Sequence, residues 1–289
     1  MAAGDQSPLV EVRATRSGFL GAFAKTGIPA GTLVLSDPPL FTLDAPLQAY
    51  LFQRSLSATS FGPTPVEGES DDEDEPAKTL EDFLDRAIRR MLALKTDSQR
   101  EQFWQLANTR ESLPGAYGIF ATNAVQTHGE TGGLFLLLSR FNSSCRPTLS
   151  RPAWDPVTRT SKLFALRDLE AGEELTWTYL NVTFEFEGVE SRRAEIKRVF
   201  EFECACGACG ACGDRVGEDE RRASEARLLE LRRLKARIGG WEHEGLESEG
   251  RRRVLGRIAE LARVEGLWET AQRLERALEA SKDDERAAE

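Results

Sequence analysis

The chain has 289 residues, enough to bury a substantial core in one large domain and a smaller one. Its formal net charge of −10 argues against a nucleic-acid binder, whose contact surface is basic. No apolar run reaches the roughly 18 residues of a membrane span, and the opening MAAGDQSPLVEVRATRSG lacks the apolar core of a signal peptide. A soluble intracellular protein with reduced thiols is expected, in the nucleus, the cytoplasm or both.

Residues 9–43 read as short strands and turns. VEVRA alternates apolar and polar positions, and GIPAGTLVLSDPP joins a Pro-Gly turn to a β-branched run. Residues 55–78 are rich in Ser, Pro, Gly and acid and read as an insertion loop. Its acidic run EGESDDEDE at 67–75 reads as a solvated segment able to attract a basic partner.

A helix then starts at a capping-box spacing, Thr79 with Asp82. Leu80, Phe83, Leu84, Ala87, Ile88, Met91 and Leu92 follow at helical intervals. A second helix is expected over 97–107, carrying Phe103 and Leu106. YGIFATNAV at 117–125 and LFLLL at 134–138 read as buried strands, and 162–180 returns to strand and turn. A short helix over 191–199 leads into a cysteine cluster. Beyond Gly213 the composition turns to Arg, Glu, Leu and Ala, and spaced leucines such as Leu228, Leu231 and Leu234 mark about three helices.

FEFECACGACG begins at Phe200 and leads to Cys212, placing Cys204, Cys206, Cys209 and Cys212 within nine residues. Closely spaced thiols in a chain without a secretory segment point to tetrahedral zinc rather than to disulfides. These four could close a site among themselves, although adjacent turns make a regular tetrahedron hard to form. The chain's other cysteine, Cys145, lies far upstream in SRFNSSCRPTL, residues 139–149. Between the two segments stands GEELTWTYL, residues 172–180.

In this order the three segments resemble the core of a SET-domain protein lysine methyltransferase of the SMYD-like branch. RFNSSCRP resembles Arg-Phe-Asn-His-Ser-Cys-x-Pro, with Ser143 in place of the histidine. GEELTWTYL resembles Gly-Glu-Glu-Leu-Thr-x-x-Tyr, and SRRAEIKRVFEFEC resembles a helix running into Phe-x-Cys-x-Cys. RSGFLGAFA resembles the Gly-x-Gly-x-Phe-Ala opening, with Phe19 where the first glycine belongs. If φ at that position were positive, Phe19 would be strained there. The resemblance spans about residues 9–45 and 115–212. It does not include a MYND zinc module, whose eight or so Cys and His ligands are absent.

The resemblance implies an α+β fold: a β-rich SET domain with a threaded, knot-like crossing, over residues 1–189. A helical insertion is expected at 79–107, a zinc-bearing post-SET segment at 190–213 and an α-helical tail at 214–289. It implies transfer of a methyl group from S-adenosylmethionine to a lysine of a histone or other basic protein; the charge and hydropathy lead us to expect no direct nucleic-acid or membrane partner. Tyr179 falls on the catalytic tyrosine. Phe19, Leu20, Gly21, Asn142, Ser143, Tyr179 and Phe202 fall on cofactor contacts. Trp177 and Phe200 fall beside the lysine channel, with Trp177 and Tyr179 on one face because strand residues two apart point the same way. Cys145, Cys204, Cys206 and Cys209 fall on a structural zinc set, leaving Cys212 spare. Ser143 and Phe19 together open an alternative, a catalytically weakened SET module acting as an interaction scaffold.

Overall fold

A computed structural model describes residues 7–15, 18–44, 79–129, 131–209, 218–239 and 248–288. The acidic run at 67–75 and Cys212 lie outside them. The chain divides into two compact units.

The first unit draws its described residues mainly from Leu35–Arg140 and Pro152–Lys162. Strand β3 spans Leu33–Asp37 and β4 spans Phe41–Asp44. Further along, β5 is Val125–Gln126, β6 Thr131–Leu134, β7 Ala153–Asp155 and β8 Thr160–Phe164. They form two three-stranded sheets of order β4-β6-β5 and β3-β8-β7, with β4-β6, β5-β6 and β7-β8 antiparallel. Helix α1, Leu80–Ala93, starts at Thr79, whose hydroxyl accepts the Asp82 N–H at 3.1 Å. Helix α2, Asp97–Trp104, opens with a reciprocal Thr96–Gln99 capping box. Leu84, Ile88 and Leu92 bury the inner face of α1, and the rings of Phe41, Phe103 and Phe120 meet at 5.8–6.1 Å.

Two expected strands take other forms. Residues 117–125 lie largely in a helix, α3 (Gly115–Asn123), before the short β5. Its buried Ala116, Ile119 and Phe120 stand at helical spacing, which aromatic and β-branched content obscured. Pro114 at its N-cap offers no side-chain bond, so the cap comes from α1: the Asp85 carboxylate accepts the N–H groups of Ala116 (2.6 Å) and Tyr117 (3.0 Å). The helical insertion therefore extends past residue 107 to Asn123. Within LFLLL only Leu134 is in a strand. The buried Asp37 carboxylate accepts the N–H groups of Leu137 (3.2 Å) and Leu138 (2.9 Å) and caps a 3-10 turn, Leu138–Arg140.

The second unit holds the described residues of 8–34, 141–151 and 163–289. Its hairpin pairs β1 (Val10–Ala14) with β2 (Leu20–Ala24), Val12 opposite Ala22. Helix α4, Val189–Phe200, ends at Glu201 in the left-handed region (φ 61°). Helices α5 (Glu218–Gly239), α6 (Ser248–Val264) and α7 (Trp268–Ala288) share a core with Leu228, Leu231, Ile258, Leu261 and Leu267. No helix among the described residues is long and apolar enough to cross a membrane.

Candidate active site and thiol cluster

Three stretches of the second unit are interleaved by backbone bonds. The segment from Asn142 runs parallel to the one at Trp177: the Trp177 N–H donates to the Asn142 carbonyl at 3.3 Å, and Ser144 N–H to the Trp177 carbonyl at 3.0 Å. On its other side the 172–175 stretch bonds to β2, with Leu175 N–H on Ala22 O at 2.8 Å and Ala24 N–H on Glu173 O at 2.9 Å. The residues expected to meet a cofactor are thereby brought together from positions far apart in sequence.

Asn142 is fixed by two acceptors. Its Nδ2 donates to the Leu20 carbonyl at 3.2 Å and to Glu174 Oε1 at 2.9 Å. Both neighbours only accept, so the amide nitrogen faces them and Oδ1 is its outward end. Gly21 is required by this arrangement: a Cβ there would stand 2.9 Å from both Asn142 Nδ2 and Glu174 Oε1. Glu174 was not among the expected site residues, although the second glutamate of GEEL marks its place.

The strain expected at Phe19 falls one residue earlier. Gly18 takes the positive φ, 84°, which glycine adopts readily. Phe19 itself is 70 % exposed, and its carbonyl accepts the Thr15 N–H and hydroxyl. The departure from the glycine motif therefore puts a side chain in solvent rather than straining the loop.

Ser143 builds structure where the motif carries histidine: its hydroxyl accepts the Tyr179 N–H at 3.2 Å. The Tyr179 phenol donates to the Phe141 carbonyl at 2.9 Å, and burial raises its pKa above the ordinary 10. A protonated phenol that donates to a carbonyl keeps its oxygen lone pairs for an incoming N–H.

Around Tyr179 stand Trp177 (ring centroids 4.7 Å apart), Phe200 (5.2 Å) and Phe202 (6.5 Å, edge-on). The left-handed turn at Glu201 lets Phe200 and Phe202 face the same tyrosine from the end of α4. Trp177 lies on the Tyr179 side, as alternation predicts. Its buried indole N–H has no hydrogen-bond partner among the described residues.

The thiols of Cys145, Cys204, Cys206 and Cys209 all lie within 4.8 Å of one another, and Cys145, Cys204 and Cys209 are buried. Cys145 Sγ is 3.9 Å from Cys204 Sγ and 3.5 Å from Cys209 Sγ. Four sulfurs at about 2.3 Å from a zinc ion would stand about 3.8 Å apart at tetrahedral angles. The sulfurs thus already have nearly the spacing a zinc ion requires. Their contacts split the acidities: Cys145 is driven above the usual thiol range, chiefly by Cys204, and Cys206 below it, chiefly by Cys145.

Behind the cysteine motif, Arg146 Nη2 donates to Glu265 at 3.1 Å. The same carboxylate also takes Ser224 Oγ at 2.8 Å and Arg227. One buried acid thereby ties the Cys145 segment to α5 and α6.

Interleaved short β-segments, a half-buried tyrosine among aromatic rings and a tetrathiol cluster define a mixed α and β domain. The SET domain family matches residues 20–180, more than half of the chain, and the chain belongs to that family. It is similar to histone-lysine N-methyltransferase set5 of Schizosaccharomyces pombe, with 28 % identity over 188 residues, 65 % of this chain and 46 % of the relative. It is also similar to SET5 of Candida albicans, with 29 % identity over 139 residues, 46 % of this chain and 28 % of that protein. The chain thus spans about half the length, or less, of these curated relatives. A crystal structure of the SET domain of LSMT bound to lysine and AdoHcy has 12 % identity and a TM-score of 0.40, covering 98 % of this chain and 89 % of that one.

Proposed function

We propose that this chain transfers a methyl group from S-adenosylmethionine to a protein lysine, with a histone or another basic protein as substrate. The observation that carries the reading is the Tyr179 hydroxyl, held by the Phe141 carbonyl with the Trp177, Phe200 and Phe202 rings around the tyrosine. It stands in a chain of the SET family whose relatives are histone-lysine methyltransferases.

Lysine's ordinary pKa is about 10.4, so presenting the neutral amine at pH 7 costs roughly 4–5 kcal/mol before any barrier. An apolar, aromatic-lined site disfavours the ammonium form, and the Tyr179 oxygen orients the amine by accepting an N–H. S-adenosylmethionine supplies the sulfonium methyl when bound. Residues for it are the Leu20–Gly21 backbone, Asn142, Ser143, Tyr179 and Phe202, with Phe19 at the loop edge. The outward Asn142 Oδ1 suits an amino group, and the Gly21 backbone leaves space beside it. Trp177 and Phe200 would wall the lysine channel.

We also infer that the chain belongs to the SMYD-like branch and that the interleaved segments would form its threaded crossing. In this reading the SET domain ends near residue 189, a zinc-holding post-SET segment runs to about 213 and a helical tail follows. Its five cysteines and two histidines are too few for the eight or so ligands of a MYND module. Cys145, Cys204, Cys206 and Cys209 would hold a structural zinc with no open coordination position for water, and the helical tail would brace the Cys145 segment through Glu265. A nuclear or cytoplasmic setting follows from such a substrate. The weakened-scaffold alternative rested on Ser143 and Phe19. The Ser143 bond to Tyr179 N–H and the positive φ at Gly18 both favour the active form.

The test is a methyl-transfer assay with labelled S-adenosylmethionine on core histones and a protein array. Tyr179→Phe is expected to lower kcat by about 10²-fold through misplacement of the amine. Absence of transfer to any protein, with no cofactor binding, would overturn the reading.

A further inference from the structure

Arg192 stands on α4 with 1 % of its surface exposed, one of the largest fully buried side chains. One guanidinium nitrogen donates to the Glu187 carbonyl and another to the Ala208 carbonyl at 3.3 Å. Its Nε–H is buried and has no hydrogen-bond partner among the described residues. Among the described residues no carboxylate pairs with it; Arg192 and Cys145 line the same small cavity, and its acceptor Ala208 immediately precedes Cys209.

Carbonyls satisfy N–H donors but do not balance a charge. A guanidinium stays protonated in a protein interior, and a buried cation without an anion is strongly unfavourable. The neighbouring Arg146 shows the contrast. Its side chain is 15 % exposed, and it pairs with the Glu265 carboxylate and gives its other nitrogen to the Cys145 carbonyl at 2.9 Å. Two cations thus border the thiol cluster, the buried Arg192 and the half-buried Arg146, and among the described residues only Arg146 is neutralised by a carboxylate.

Four thiolates around a divalent metal carry a net charge of −2. We propose that Arg192 is a positioning residue for a tetrathiolate metal centre, offsetting part of that charge and offering its orphan Nε–H to a cysteine sulfur. This rests on the metal reading above. The bond to Ala208 adds a mechanical role, because Ala208 sits in the 3-10 turn between Cys206 and Cys209. Arg192 therefore links α4, which ends at Phe200, to the loop that carries three of the four sulfurs. Partners outside a metal's ligand set typically change its affinity by roughly 10–100-fold.

The experiment is cobalt(II) titration of the full chain followed by the thiolate charge-transfer band, with competition by a chelator and melting of the metal-free form. Arg192→Met removes the charge at similar length, and Arg192→Lys keeps the charge without the planar fork. Arg198→Met, an exposed arginine on the same helix, is the control. The expectation is a roughly 10–100-fold weaker cobalt affinity in Arg192→Met, substantial recovery in Arg192→Lys and no change in the control. Wild-type affinity in Arg192→Met overturns the inference. So does a metal-free protein destabilised equally by both variants with equal cobalt loss, which marks a packing role. If Arg192→Met does not fold, Arg192→Lys decides: recovery supports the inference and full loss overturns it. A wild-type chain that takes up no cobalt overturns the metal reading itself.

Discussion

Asp37 gives a quantitative test of how a buried carboxylate shapes the first unit. The residue is 3 % exposed, and its carboxylate caps the turn at Leu138–Arg140 through one oxygen, Oδ2, which takes both the Leu137 and Leu138 N–H groups. Burial raises its pKa from 3.8 to about 6, while the two backbone bonds pull the other way. The folded state therefore holds the proton more tightly than the unfolded chain does. Stability from this group is fully present below about pH 4 and is lost as pH rises through about 6.

The shift is about two pK units, worth roughly 3 kcal/mol at about 1.36 kcal/mol per unit. Asp37→Asn removes the charge, and a single carboxamide oxygen can accept both N–H groups. Its new NH2 group costs roughly 1–3 kcal/mol if unpaired, so the absolute gain at pH 8 is small. The pH dependence is the diagnostic quantity. Urea unfolding at intervals from pH 4 to 8 should show the wild type losing roughly 3 kcal/mol relative to the variant across that range. Parallel profiles would refute the argument. Asp37→Ala, which strands two buried N–H groups, should be less stable at every pH.

Other expectations follow from the sulfur spacing and the cofactor contacts. Purified protein should hold one zinc per chain by elemental analysis, lost in Cys145→Ser and kept in Cys212→Ser; equal loss in both would mean a different ligand set. S-adenosylmethionine at a hundred times its dissociation constant should stabilise the chain by about 2.7 kcal/mol in thermal melts. Asn142→Ala should remove most of that gain. Gly21→Ala should act similarly, because its Cβ would crowd Asn142 and Glu174. Trp177→Phe should raise the dimethyl and trimethyl share of products by mass spectrometry, since indole leaves less room beside Tyr179. Abundant trimethyllysine from the unmodified chain would defeat that idea.

The sequence revealed the parts of the site that repeat a local pattern and concealed those that depend on a distant partner. Thr79 and Asp82 announced α1 because a cap and its helix are neighbours in the chain. Trp177 and Tyr179 could be assigned to one side because alternation is local. Cys145 was reachable only through the order of three motifs, since nothing near it in sequence marks it as a partner of Cys204. Asp85 and Asp37 gave no signal. Each reads as an ordinary surface carboxylate, and each caps backbone N–H groups supplied by a remote segment. The same cause misassigned α3, whose cap comes from α1 rather than from its own first turn. Arg192 was hidden in a helix full of charge, where SRRAEIKR gives no hint of which arginine turns inward. Its neighbour Ile196, one helical turn on, is fully buried, so the inward stripe of α4 is Arg192–Ile196. An arginine on the stripe that faces a thiol cluster is a departure from apolar patterning, and such departures are where function and local pattern conflict. The residues that sequence reasoning failed to find are thus the polar groups placed on inward faces: Asp37, Asp85, Glu174, Arg192 and Glu265.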